Sequence, residues 1–342
     1  LIQTQEQLHS YLDSIKGENY LGIDTEFRRI DTYYPKLCLV QISTAASVEC
    51  IDVLSIRDLG SLFDKLYQEK TVWVVHSARQ DIEAFYLLSG QLPKNLFDTQ
   101  IAAALLNLPL QVSYQALTEQ FEGVYLEKAH ARFDWTRRPL PDDVMEYALN
   151  DVRYLLPIFK KLHAKLNKAN KLEWLNEETN ALLNAELYDV PIENIFQKIK
   201  GMSRLNSKYH KFAFQLCAWR EDTAKRKNKP RKWIMSDEKL LDYACNKLTL
   251  SLNSEKIFNN FVDSSDIFYK PSATTNSHKP LNNSEKNSKN KLQEHINNIA
   301  SAYNFPPELL ITSKSLTKYI RGDLNVSVCR GWRAKLFNET LT

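Results

Sequence analysis

The chain has 342 residues and a formal net charge of +4, a length that accommodates two or three domains. Hydrophobic residues make up 43% and charged residues 25%, an ordinary soluble globular balance. No apolar run approaches the roughly 18 residues of a membrane span, and Leu1 to Tyr20 lacks the charged-then-apolar order of a signal segment, so a cytoplasmic protein is expected.

In chain order, Leu21-Gly22-Ile23-Asp24-Thr25-Glu26-Phe27 and Leu37-Cys38-Leu39-Val40-Gln41-Ile42 read as strands. Val48 to Val53 and the β-rich Val72-Trp73-Val74-Val75 add two more, by β propensity and alternation. Helical patterns lie between them, at Asp58 to Glu69 and Asp81 to Leu88. Strands in close succession followed by strand-helix alternation predict an α/β mixed sheet with flanking helices. From Pro141-Asp142 onward the chain reads as helix after helix, with proline and acids at the start of the first. Leu172 to Leu187 is a connecting helix, a second domain begins near Ser203, and Lys270 to Asn290 has the Ser, Asn, Lys and Pro content of a linker. A last helical segment runs from about Leu292 to Phe337.

The five cysteines are dispersed, with no pair at CxxC spacing, which argues for reduced thiols and against a thiolate metal site. The informative residues are acidic and come in spaced pairs. Asp24 and Glu26 lie two apart on a strand, so both side chains leave one face, while Ile23, Thr25 and Phe27 face the core. Tyr147 and Asp151 lie four apart on a helix and share a face. Asp81 opens a helix after the turn His76-Ser77-Ala78-Arg79-Gln80. Each signal alone has a plain structural explanation: a solvated strand end, a helix N-cap, a core aromatic beside a surface acid. Gathered together, such carboxylates repel unless cations neutralise them. Hard oxygen ligands suit Mg²⁺ or Mn²⁺, and two such ions about 4 Å apart promote in-line hydrolysis of a phosphodiester.

The order and surroundings of these residues resemble the ribonuclease D family, in the tyrosine branch of the DEDD exonucleases. The matching runs are Gly22 to Arg28 with Thr32-Tyr33-Tyr34-Pro35 and Leu37 to Gln41, then His76 to Glu83, Phe97-Asp98-Thr99-Gln100-Ile101-Ala102, and Tyr147-Ala148-Leu149-Asn150-Asp151-Val152. The histidine branch requires a histidine five before the final Asp, where Glu146 stands. The resemblance implies a ribonuclease H-like sheet followed by two small all-α bundles. It implies that Asp24, Glu26 and Asp151 hold one metal and the attacking water, that Asp24 and Asp81 serve a second, and that Tyr147 orients the water. A phenol with its ordinary pKa of about 10 acts there through hydrogen bonding rather than as a strong base. His76 is expected to be structural or substrate-facing, and Asp98 to be the N-cap of the helix Thr99 to Leu106.

Further on, Lys225, Arg226, Lys227, Lys229, Arg231 and Lys232 crowd between Trp219 and Trp233. A solvated helix end explains most such runs, but cations beside aromatics also track a phosphate backbone. Trp219-Arg220, Ala224, Pro230, Ile234, Asp237 and Leu240-Leu241 resemble the HRDC helical domain shared by RecQ-type helicases and ribonuclease D, which implies RNA contact for some of these cations and a core position for Trp219. A second, looser match lies at Pro307-Glu308-Leu309-Leu310 and Gly331-Trp332-Arg333. The implied organisation is an exonuclease domain over 1–168, connecting helices over 169–202, HRDC over 203–282 and an HRDC-like subdomain over 283–342. The implied activity is stepwise 3′-5′ hydrolysis of single-stranded RNA to nucleoside 5′-monophosphates, with tRNA precursors as substrates. A DNA-directed exonuclease and an inactive nucleic-acid-binding scaffold are the rivals. No long heptad pattern marks a partner helix, and a monomer without an obligate protein partner is expected.

Overall fold

The computed structural model describes residues 1–127, 130, 133–265, 267–270 and 280–339. They form two compact units, one from Leu1–Glu26, Leu37–Asn184 and Ala273–Thr342, the other from Phe27–Lys36 and Ala185–Ser272.

The first unit is built on a five-stranded sheet of order β3-β2-β1-β4-β5, with β1 at Tyr20–Arg28, β2 at Lys36–Ser43, β3 at Val48–Ile51, β4 at Val72–Val75 and β5 at Asn95–Asp98. Strands β1, β4 and β5 run parallel, and β2 and β3 pair antiparallel. The fifth strand was not foreseen: four residues are too few for alternation to stand out. Leu21, Ile23, Leu39, Trp73 and Val74 are fully buried, as a sheet covered on both faces requires.

Gly22 shows how closely a helix approaches the sheet. A Cβ there would lie 2.2 Å from the Ser43 hydroxyl and 3.1 Å from Leu155 Cβ, and that hydroxyl donates to the Val152 carbonyl at 2.8 Å. The end of the helix Asp142–Arg153 is thereby fixed against β1 and β2. Upstream, the Arg138 guanidinium grips buried Asp52 through Nε at 2.6 Å and Nη2 at 2.5 Å, and also donates to the Trp135 and Cys38 carbonyls. Paired, bidentate contacts of this kind fix orientation as well as position.

The C-terminal helices belong to this same unit. Trp332 stacks on Trp174 at 4.5 Å, and its indole donates to Glu178. Gly331 has φ +53°, and a Cβ there would meet the Glu177 carboxylate, so only glycine fits the turn into the last helix. Buried Lys171 donates to the Leu105 and Asn304 carbonyls at 2.6 and 3.0 Å. The helix Asn283–Tyr303 starts inside the stretch expected to be a linker. Asn282 and Glu285 form a reciprocal capping box, and that pairing offsets a polar, low-complexity composition.

The second unit packs around the helix His210–Lys227, with Phe196, Phe214, Trp219, Leu240 and Phe258 in its core. Trp219 is buried as expected. The helix ends at Asn228, in the left-handed conformation at φ +45°. The Asn228 side chain accepts from the Tyr33 and Tyr34 amides at 3.0 and 3.1 Å. All five cysteines are free; Cys38, Cys50 and Cys217 are buried, and Cys245 and Cys329 are partly exposed. No helix among the described residues is long and apolar enough to cross a membrane.

Candidate active site

Asp24 and Glu26 project from the face of β1 that carries Gly22, where strand periodicity places them together. The helix Asp142–Arg153 covers that face and brings in Asp151. Carboxylate oxygens of Asp24, Glu26 and Asp151 all lie within 4.8 Å of one another. Alternation on one element and close helix approach from another thus make a cluster out of residues 125 or more positions apart.

Asp81 arrives differently. It sits in the first turn of the helix Arg79–Ser89 and is buried. Thr25 Oγ1 donates to its Oδ1 at 2.6 Å. Thr25, which faces the core as expected, therefore also ties Asp81 to the strand between the two acids. Asp98 does more than cap its own helix. It accepts from Gln100 N and Ile101 N, as expected, and also from Ser77 N and Ala78 N at 3.2 and 2.8 Å. Ser77 has φ +63°, so the same carboxylate holds the left-handed turn that launches the Asp81 helix. The sequence signal was the Phe97-Asp98-Thr99 run, whose local reading as an N-cap accounts for only two of these bonds.

Among the described residues the cluster is electrostatically under-compensated. Burial, then the charges of Asp81, Asp151 and Glu26, hold the Asp24 carboxyl well above the usual range. Burial and the neighbouring Asp151 and Asp81 push Glu26 to about 9. Burial lifts Asp151 to about 7; burial, with the Asp98 charge beside it, lifts Asp81 to about 7 against the hydrogen bond that Thr25 supplies. The Tyr147 phenol is raised as well, by burial and the surrounding carboxylates, Asp151 first among them, so it keeps its proton at neutral pH. Its ring lies 5.8 Å from His130 and 6.4 Å from Trp135.

Among the described residues no cationic side chain pairs with these carboxylates; oxygens gathered in this way fit a hard divalent cation, whose charge removes the repulsion that helps raise their pKa values. His76 is unsuited to that role. Its Nε2 faces the Val112 carbonyl at 3.0 Å and its Nδ1 the Thr99 hydroxyl at 2.9 Å, so both ring nitrogens are engaged, and burial holds its pKa below the ordinary value.

Comparison with known proteins agrees with this geometry. A family model described as a 3′-5′ exonuclease matches residues 1–167. A ribonuclease D of Bartonella henselae is 31% identical over 360 aligned residues, covering 99% of this chain and 88% of its own. One from Nitrobacter hamburgensis is also 31% identical, over 99% of this chain and 93% of its own. The chain belongs to the ribonuclease D family. The crystal structure of Escherichia coli RNase D superposes with a TM-score of 0.85 at 25% identity, covering 99% of this chain and 96% of that one. Like its relatives, this family member is a 3′-5′ exonuclease with a mixed five-stranded sheet and a helical C-terminal part.

Within the family member's second unit, the basic run divides. Arg231 is committed to Glu221 and Tyr33, with Nε 2.5 Å from Glu221 and Nη2 3.1 Å from the Tyr33 hydroxyl. Arg226 pairs with Asp222 at 2.7 Å and Lys225 with Asp189 at 3.6 Å. Lys229 lies 5.5 Å over the Trp233 ring. Lys227 and Lys232 are exposed, with no carboxylate in ion-pair distance among the described residues. Sequence order cannot separate these roles, because the partners Tyr33 and Asp189 are remote in the chain.

Proposed function

We propose that this exonuclease hydrolyses single-stranded RNA from the 3′ end, releasing nucleoside 5′-monophosphates, and that tRNA precursors are among its substrates. The carrying observation is the convergence of Asp24, Glu26 and Asp151 within 4.8 Å, with the Tyr147 phenol beside the Asp151 carboxylate. Asp24, Glu26 and Asp151 would hold one divalent cation, with Asp24 and Asp81 serving a second. When bound, two such ions activate a water and stabilise the leaving oxygen of an in-line displacement. The family's ribonuclease relatives support RNA as the polymer.

The roles of the chain's own groups follow from their state. A phenol that keeps its proton orients a water by hydrogen bonding beside the Asp151 carboxylate. Thr25 holds Asp81 in place through its hydroxyl. Water oxygen forms the new bond to phosphorus, the bond from phosphorus to the 3′ oxygen breaks, and that oxygen leaves as the shortened strand's 3′ hydroxyl after taking up a proton.

The test is a time course on 3′-extended tRNA and a matched single-stranded DNA, with Mg²⁺, Mn²⁺ or EDTA. Stepwise loss of RNA nucleotides only with metal present is expected. Equal or faster loss of DNA would shift the assignment to a DNA-directed exonuclease. No shortening of either would leave a binding scaffold.

A further inference from the structure

The second unit contains an open cavity of about 550 Å³, within the roughly 300–1,000 Å³ range of sites that take a small molecule or a single nucleotide. Arg29 and Tyr33 line it from the segment Phe27–Lys36, and Lys198, Lys232 and Trp233 line it from the helices. Two further arginines in its wall are neutralised locally. Arg220 Nη1 is 2.7 Å from Asp237, and Arg231 is bound to Glu221. That leaves Lys198 and Lys232, both exposed, with no carboxylate in ion-pair distance among the described residues, so the cavity carries surplus positive charge.

Trp233 decides what the charge is for. It is 63% exposed, where a tryptophan that merely completes a core would be covered. Lys229 lies over its ring at 5.5 Å, so the indole stands in a cationic setting with most of its surface in solvent. Tyr33 cannot move to cover it: its hydroxyl is held by Glu221 and Arg231, its amide by Asn228. An exposed aromatic platform beside unpaired lysines is the chemistry that stacks a base and holds the flanking phosphates.

We propose that this cavity binds one nucleotide of a single-stranded RNA, with its base on the Trp233 indole and its phosphates against Lys198 and Lys232. The nucleotide is not the one hydrolysed, because the cavity contains none of the clustered carboxylates. The inference deepens the RNA reading above and rests on it for the identity of the ligand.

The experiment uses the full chain and a fluorescein-labelled single-stranded RNA of about 16 nucleotides, enough to fill an extended binding track. Binding is read by anisotropy in EDTA, so that no cleavage intervenes. Trp233→Ala is expected to weaken binding by about tenfold, and Trp233→Phe to restore most of it. Lys198→Gln with Lys232→Gln is expected to lower the slope of log affinity on log salt by about 1.4, since each phosphate contact on a single strand accounts for about 0.7. Exposed Lys256→Gln, outside the cavity, is the matched charge control. With metal restored, the loss in kcat/KM from Trp233→Ala should be larger on the long RNA than on a dinucleotide, which supplies no second nucleotide for the cavity.

Wild-type affinity in all the cavity variants, or the same loss in the Lys256 control, would overturn the proposal, as would an undetectable affinity of the wild type. Tight, Trp233-dependent binding of RNA by a wild type that shortens no RNA would uphold the cavity while sinking the ribonuclease reading.

Discussion

The carboxylate cluster and the lysine-lined cavity are opposite solutions to placing charge. In the first, like charges are gathered half-buried, with Glu26 raised to about 9 and Asp151 to about 7; no cationic side chain among the described residues pairs with them, an arrangement that suits a cation. In the second, most charges are satisfied internally, as Arg231 with Glu221 and Arg220 with Asp237, and the few left over lie in water beside an exposed indole. Buried like charge costs stability and confers chemistry; exposed surplus charge costs little and confers salt-dependent attraction.

The sharpest way to break that contrast is to remove a single cluster carboxylate. Asp24→Asn or Asp151→Asn should lower the hydrolysis rate by at least about a thousandfold, several kcal/mol of lost transition-state stabilisation, while RNA affinity in EDTA stays near the wild-type value. Metal-dependent activity surviving in both purified variants would remove these residues from the mechanism. Tyr147→Phe should cost less, about ten- to a hundredfold in kcat, as expected for one hydrogen bond to a charged group; an unchanged kcat would leave Tyr147 with a packing role only.

Gly22→Ala probes the close approach that brings Asp151 to the strand. The Cβ contact of 2.2 Å to Ser43 should cost about 1–3 kcal/mol in urea unfolding and lower activity by displacing Val152 and its neighbour. A variant as stable and active as the wild type would mean that the helix and sheet separate easily.

The smallest effect is the most diagnostic of stored repulsion. The cluster carboxyls are raised in the folded state, so without metal the fold keeps protons that the unfolded chain releases near pH 4. Their contribution is fully favourable below that pH and is lost as pH rises through about 7 for Asp151 and about 9 for Glu26. In EDTA at pH 8, Asp24→Asn should therefore melt about 2–4 °C above the wild type, with the gap closing near pH 4 and reversing when Mn²⁺ is added. A lower melting temperature for the variant in EDTA at pH 8 would contradict a repulsive cluster.

Much of the first region was legible in the chain. Period-two spacing put Asp24 and Glu26 on one face, and four-residue spacing did the same for Tyr147 and Asp151, because both regularities are local geometry. Less visible was Thr25, whose alternation pointed it to the core while its hydroxyl found Asp81. Asp98 read as a plain N-cap, yet half of its bonds go to a turn about twenty residues earlier. The helix Asn283–Tyr303 was hidden by its composition, although Asn282 and Glu285 stood at capping-box spacing. In the basic run, sequence gave the number of cations but not their assignments.

By itself, then, the sequence determined which residue types share a face of a strand or helix, and with them the chemistry the chain is equipped to perform, since these depend on backbone periodicity alone. Tertiary structure decided which faces meet, which arginines are consumed by remote carboxylates and which lysines and tryptophan are left to solvent. Those outcomes turn on distances between residues far apart in the chain, where a hydrogen bond or an ion pair exists only after helix and sheet have packed.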